Sequence, residues 1–177
     1  KELTAVLYQM NSVNESSEKE IVISCEQAVH NSLSEPFTYT LSEEKNAVCQ
    51  LADRVETYLY EPGAALLKAG PYRLLSQRYG VKKLHPNSHL YTSSVQVDFP
   101  GRCFQVTGIS GFGKKEVKEL LGGLEKANLT VRNFPASVAD LRKKLKLKEG
   151  GDVYLFATTL QNGEKVLIKC LKPALLS

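Results

Sequence analysis

Val153-Tyr154-Leu155-Phe156-Ala157-Thr158-Thr159 and Lys165-Val166-Leu167-Ile168-Lys169-Cys170-Leu171 flank the turn Gln161-Asn162-Gly163. Asn-Gly between two apolar runs signals a hairpin, because both residues accept the positive φ of tight hairpin turns. In the second run Lys165 and Lys169 fall on one face and Val166, Ile168 and Cys170 on the other. Working backward, Ser137 can cap a helix with Asp140 three residues on. Val138, Leu141 and Leu145 form that helix's buried stripe, and Gly150-Gly151 is expected to end it. Leu129 to Phe134 alternates like a strand. Before it, Val117, Leu120, Leu121 and Leu124 recur at i, i+3, i+4 and i+7, which predicts an amphipathic helix over 114–127. Cys103 to Ile109 reads as a strand. The order is β-α-β-α-β-β: a two-layer α/β sandwich with right-handed crossovers and both helices on one sheet face. Two-layer modules of this order recur in RNA- and DNA-binding proteins, an argument by analogy.

Upstream, 55–99 opens with Tyr58-Leu59-Tyr60-Glu61-Pro62. Pro62 is expected at the first position of a helix through Ala69. Gly70-Pro71 breaks that helix, a second follows from Tyr72 to Tyr79, and Gly80 is the expected stop. Val81 to Leu84 leads to the turn His85-Pro86-Asn87-Ser88, and His89 to Val97 reads as a strand. In 1–54, Leu3 to Tyr8 and Glu20 to Cys25 are apolar runs either side of a polar stretch, Asn11 to Glu18, which predicts an antiparallel hairpin. Phe37-Thr38-Tyr39-Thr40-Leu41 adds a third strand.

The chain has 177 residues and is 42% hydrophobic, enough for one ordinary domain or two small ones and against wholesale disorder. No apolar run approaches the roughly 20 residues a membrane-crossing helix needs. The first residues, Lys1-Glu2-Leu3-Thr4, do not read as a signal peptide. The chain starts with Lys, so it is expected to begin inside a longer protein. Cys25, Cys49, Cys103 and Cys170 form no C-x-x-C pair, which argues against a zinc knuckle and for reduced, mostly buried thiols in the cytoplasm. Gly108-Ile109-Ser110-Gly111-Phe112-Gly113-Lys114-Lys115 is neither a P-loop nor a dinucleotide fingerprint. No G-x-S-x-G or H-E-x-x-H occurs. His85 and His89 are four apart, but Pro86 and Asn87 between them favour a turn over a metal-binding helix face. No residue is assigned as catalytic and none as a metal ligand.

Charge runs in a gradient. Residues 1–60 hold four Lys/Arg against ten Asp/Glu, residues 61–99 five against two, and residues 100–177 fourteen against seven. A basic back half invites a polyanion, most often nucleic acid; the alternative is a solvated lysine-rich surface. Arg142-Lys143-Lys144-Leu145-Lys146-Leu147-Lys148 projects its cations outward if Leu145 continues the stripe. Lys114, Lys115 and Lys118 sit at the start of the first helix of this half, whose N-terminus can receive a phosphate. The glycines before it equally suit a tight strand-to-helix turn. Phe112 is the only aromatic in that loop, so base-specific readout is not expected.

Two strings are more specific. Tyr58-Leu59-Tyr60-Glu61-Pro62-Gly63-Ala64-Ala65-Leu66-Leu67-Lys68-Ala69-Gly70, followed by Lys83-Leu84-His85-Pro86-Asn87-Ser88-His89-Leu90-Tyr91-Thr92-Ser93, resembles a bacterial family best known from Bacteroidetes. These are class I S-adenosylmethionine-dependent methyltransferases with a C-terminal THUMP-like domain. Residues 99–174, with Phe99-Pro100-Gly101-Arg102 and Gly111-Phe112-Gly113-Lys114-Lys115, resemble that domain, and residues from about 55 to 99 the small ferredoxin-like domain before it. The resemblance implies an α+β chain: a strand-rich segment over 1–54, a ferredoxin-like α/β unit over 55–99, and a THUMP-like sandwich over 100–177. It also implies a methyltransferase domain before Lys1 that carries S-adenosylmethionine; no cofactor is expected within this segment. The hairpin at 3–25 is then either the closing strands of that domain or a part of the ferredoxin-like unit that completes its sheet; the second is favoured.

Three functional expectations follow. The first is a non-catalytic accessory module that binds or orients RNA, tRNA or rRNA by the company THUMP domains keep. Its phosphate contacts would be Lys114, Lys115, Lys118, Arg142, Lys143, Lys144, Lys146 and Lys148. The second is an interaction module that docks the methyltransferase domain or a dimer partner through the acidic front half. The third places Glu61, Lys68, His85, Asn87 and His89 as contacts reaching into a substrate cleft, against the plainer reading of His85 to Ser88 as a turn.

Overall fold

The computed structural model describes residues 3–11, 20–29, 32–33 and 35–174. Two sheets carry the chain. In the first, β1 (Leu3–Asn11) pairs antiparallel with β2 (Glu20–Val29). On its other edge β2 meets β3 (Ser32–Leu33) and β4 (Phe37–Thr40). The expected hairpin and third strand are therefore present, although most of the polar stretch between β1 and β2 lies outside the described residues. These strands form their own sheet instead of completing the next one. Ile23, Cys25, Phe37 and Tyr39 share one face and are buried against Tyr60, Leu66, Leu75 and Tyr91.

A short helix, α1 (Leu41–Asn46), follows β4, and sequence reasoning missed it. Its signal is a capping box: Thr40 Oγ1 accepts from the Glu43 N–H, and the Glu43 carboxylate accepts from the Thr40 N–H. Then come β5 (Tyr58–Pro62), α2 (Ala64–Ala69), α3 (Tyr72–Tyr79), β6 (Lys82–Lys83) and β7 (Tyr91–Ser93). Pro62 closes β5, and Gly63 caps α2, so the proline does not start the helix. Gly70 and Gly80 end α2 and α3 in the left-handed region, as expected of glycine stops. The strand expected over 89–97 shrinks to β7.

The back half runs β8 (Gly101–Ser110), α4 (Lys114–Leu121), β9 (Asn128–Arg132), α5 (Val138–Leu145), β10 (Tyr154–Thr159) and β11 (Lys165–Leu171), the order anticipated. Both helices end sooner than expected, α4 at left-handed Gly122 and α5 at left-handed Lys146. Helical periodicity continued to Leu124, but Gly122-Gly123 stops the backbone first.

The second sheet has the order β6-β7-β5-β8-β11-β10-β9, antiparallel throughout except for β9 against β10. On one face α4 and α5 cover Leu129, Leu155, Ala157 and Leu167. The same face at the β5–β7 end carries Tyr60 and Tyr91 beneath α2, α3 and the first sheet. The opposite face holds Leu59, Phe104, Phe156 and Ile168. That face is concave. β5 and β9 stand four strand spacings apart, about 19 Å in a flat sheet. Yet Arg132 on β9 reaches Glu61 on β5 at 2.7 Å, so the sheet curls until these strands face one another. A shift in register where β8 pairs β11 marks one bend, and Gly108 there leaves room for Leu120 of α4. No helix among the described residues is long and apolar enough to cross a membrane.

Candidate functional site

The convex side presents the lysines. Ser137 caps α5 by accepting from the Asp140 N–H at 3.1 Å, and Leu141 is buried beneath. That orientation leaves Lys143, Lys144, Lys146 and Lys148 exposed. Arg142 is half-buried and donates to the Ala127 carbonyl at 3.2 Å, so it tethers α5 to the start of β9. On α4, Lys114, Lys115 and Lys118 are exposed. Lys115 approaches Glu119 only at 4.0 Å in open solvent, a pairing worth little. Phe112, two residues before Lys114, links α5 to the start of α4: the Lys144 ammonium lies 5.9 Å over its ring, and Phe134 packs against it at 4.8 Å. Phe112 therefore joins the clusters and is not a free stacking platform.

The glycine loop has an internal anion. Glu116 folds back so that its carboxylate accepts from the Gly113 N–H at 3.1 Å. A Cβ at Gly111 or Gly113 would press on that carboxylate. The loop thus serves the turn and its cap, and one N–H at the α4 start is already taken.

The concave side gathers a second polar cluster. Glu61 is 3% exposed. One of its oxygens accepts from Arg132 Nε at 3.0 Å and Nη2 at 2.7 Å, and the other from Arg102 Nε at 2.9 Å and from Arg102 Nη2. A buried carboxylate is tolerable when saturated in this way. Beside it, His89 stacks on Tyr72 at 3.7 Å with planes 13° apart. His89 has φ 54°, and its Nδ1 is buried without a hydrogen-bond partner among the described residues. Burial, then the Lys83 and Arg132 charges, lower its pKa to about 4, so the ring is neutral at pH 7. Lys83 is 4% exposed, donates to the Pro86 carbonyl and lies 4.9 Å over the Tyr72 ring. Burial pushes its pKa down.

His85 Nδ1 accepts from the Asn87 backbone N–H at 3.0 Å and lies 3.0 Å from Asn133 Nδ2. With two donors turned toward Nδ1, the ring proton belongs on Nε2. His85 thus ties its turn to the end of β9. Of the five proposed cleft residues, the structure gathers Glu61, His85 and His89 around this cluster. Asn87 sits exposed at the turn and contributes its backbone N–H, and Lys68 lies on the exposed side of α2. Sequence reasoning missed Tyr72, Lys83, Arg102, Arg132 and Asn133 as members. The available signal was Glu61 itself, because an acid directly after the apolar run Tyr58-Leu59-Tyr60 requires cationic partners when its strand is buried. Among the described residues no three His, Cys, Asp or Glu side chains gather as a metal site would require.

The His89 shift sets a pH dependence. The folded pKa lies below the ordinary value, so the unfolded chain binds the proton more readily. Its contribution to stability is full above about pH 6.5 and is lost as pH falls through about 4. Urea unfolding across that window should show stability falling with acid more steeply in the wild type than in His89→Asn. Asparagine tolerates the positive φ and does not titrate. Parallel curves would refute the assignment.

Comparison with known proteins places this geometry. Residues 58–100 match the model of a ferredoxin-like domain and residues 101–172 that of a THUMP domain-like family. The fold is α+β, a ferredoxin-like unit followed by a THUMP-like one, as expected. A crystal structure described as a "putative methyltransferase from Porphyromonas gingivalis W83" superposes with a TM-score of 0.73 at 35% identity, over 94% of this chain. This chain spans 38% of that protein's length. No curated protein matches.

Proposed function

We propose that this chain is the non-catalytic, RNA-engaging module of an S-adenosylmethionine-dependent methyltransferase in the cytoplasm. It positions tRNA or rRNA for a catalytic domain that holds the cofactor. The observation that carries this reading is the contact at Phe112, which brings Lys144 of α5 to the loop that opens α4 and supports one shared basic face. The match of 101–172 to a THUMP-like model and the likeness to a methyltransferase support it. The face lacks exposed aromatic platforms and presents point charges, so it suits the phosphate backbone more than base edges.

The docking alternative asks for an exposed apolar face in the front half. Ile23, Cys25, Phe37 and Tyr39 are buried within the chain and cannot supply it, whereas Leu41, Val48 and Leu51 are exposed. The cleft reading keeps Glu61, His85 and His89, with Asn87 at the turn beside them, as a concave site; Lys68 stays outside it on the exposed side of α2.

Fluorescence anisotropy against a tRNA pool at about 50 and 200 mM salt tests the main reading, because phosphate contacts respond most over that range. Binding should weaken with salt, and RNA should be preferred to duplex DNA. Replacing Lys143, Lys144, Lys146 and Lys148 by alanine should weaken binding roughly tenfold or more and reduce the salt slope by about 3. Arg142 stays untouched, since it holds α5 in place. Unchanged affinity and slope would remove α5 from the interface.

A further inference from the structure

We infer that the cavity between α1, α3 and the 83–86 turn is a phosphate-binding pocket, with Lys83 as its central cation. The cavity measures about 460 Å³, within the range of small-ligand sites. Its wall includes Glu44, Cys49, Tyr72, Arg73, Lys83 and Pro86.

The argument starts from an uncompensated charge. Lys83 is buried, yet no carboxylate among the described residues lies within ion-pair distance of its ammonium. It donates to one carbonyl and rests over one aromatic ring. An ammonium has three donors, and a buried charge without a counter-ion is costly. The neighbouring Lys82, by contrast, pairs with Glu56 at 2.9 Å.

The one acid on the wall, Glu44, favours the Lys83 charge only from beyond ion-pair distance. Both Glu44 oxygens accept backbone N–H groups at the start of α3, from Arg73 and Leu74, each at 2.9 Å. Arg73 supplies a second cation and uses Nη1 on the Lys45 carbonyl at 3.3 Å, which leaves other guanidinium donors. Two cations facing one cavity favour a dianion over a single carboxylate, and a phosphate monoester carries close to two negative charges at neutral pH.

The phosphate belongs either to a free nucleotide or to an RNA end, and the pocket is independent of the convex lysine face. Isothermal titration calorimetry with inorganic phosphate, 5′-AMP and a 5′-phosphorylated RNA trinucleotide tests it. The chains compared are the wild type, Lys83→Met, Arg73→Gln and a convex-face control, Lys143→Ala with Lys144→Ala. The wild type should bind at least one probe with a Kd of about 1 mM or tighter. Lys83→Met should lose at least about tenfold in affinity while its Tm holds or rises, because methionine keeps the stem and removes the buried charge. Arg73→Gln should lose less, and the control should bind like the wild type. Stronger binding of 5′-AMP than of the trinucleotide identifies a free nucleotide as the source, and the reverse identifies an RNA end. Absence of binding by the wild type, or equal affinity in Lys83→Met, overturns the proposal. If Lys83→Met does not fold, unchanged binding by the exposed Arg73→Gln overturns it instead. Failure of the lysine-face reading would appear separately, as tRNA binding that ignores the α5 substitutions.

Discussion

Replacing Gly101 by alanine is expected to lower stability by about 3 kcal/mol or more, a fall in Tm on the order of 10 °C. Gly101 opens β8 opposite Pro62, where the chain crosses close to its own backbone. A Cβ there would collide with the Glu61 carbonyl oxygen and lie 2.9 Å from both the Gly63 nitrogen and the Pro62 carbonyl carbon. All three are main-chain atoms and cannot swing aside as a flexible side chain would. Relief requires parting β5 from β8, which breaks the Gly63 N–H bond to the Pro100 carbonyl and displaces Glu61 from its arginines. Thermal unfolding followed by circular dichroism reads the effect directly. A Tm within about 3 °C of the wild type, roughly the shift for 1 kcal/mol in a chain of this size, would show that the close approach is relaxed at little cost.

Glu61 itself carries the second large effect. Glu61→Ala leaves two guanidiniums side by side at the mouth of a buried site. Breaking a buried ionic network from one side costs on the order of 3–5 kcal/mol. Arg102 and Arg132 are 54% and 38% exposed and can turn to water, so the lower end, about 3 kcal/mol, is expected here. Arg132→Met and Arg102→Met should each cost less, since the acid keeps one arginine that donates to it twice. Glu61→Ala combined with Arg132→Met should be milder than the sum of the two, because the second change removes a charge the first left stranded. Urea midpoints for the four chains measure this, and strict additivity would show that the contacts are energetically separate.

How much of this the sequence disclosed depends on how local each feature is. The hairpin at Asn162-Gly163, the Ser137 cap and the Val117-to-Leu124 stripe are encoded within a few residues, and all were legible. The ends of α4 and α5 were not, because hydrophobic periodicity persists after the backbone has turned at Gly122 and Lys146. The hairpin's sheet was misplaced because apolar alternation says that a strand is half-buried, not which partner buries it. The concave cluster was half legible. Glu61, His85 and His89 stood out as polar residues in uncommon strings. Their partners did not, because Glu61 and Arg132 are 71 positions apart and meet only once the sheet curls. Lys83 enters the sequence only as one cation in a charge count, and charge counting cannot distinguish a solvated ammonium from a buried one.

β8 belongs by resemblance to the back unit, yet its first half, residues 101–105, pairs with β5 of the front unit, and the Glu61–Arg132 clasp fastens the two again from within. The border between the matched families thus runs down the middle of one continuous ladder. A recombination event that severed the gene at that border would leave each product with an unsatisfied strand edge and a torn interior. Inheritance of the two parts as a single block is then a physical necessity, and a duplicated or transplanted copy of either part should survive only where another protein supplies the lost strand.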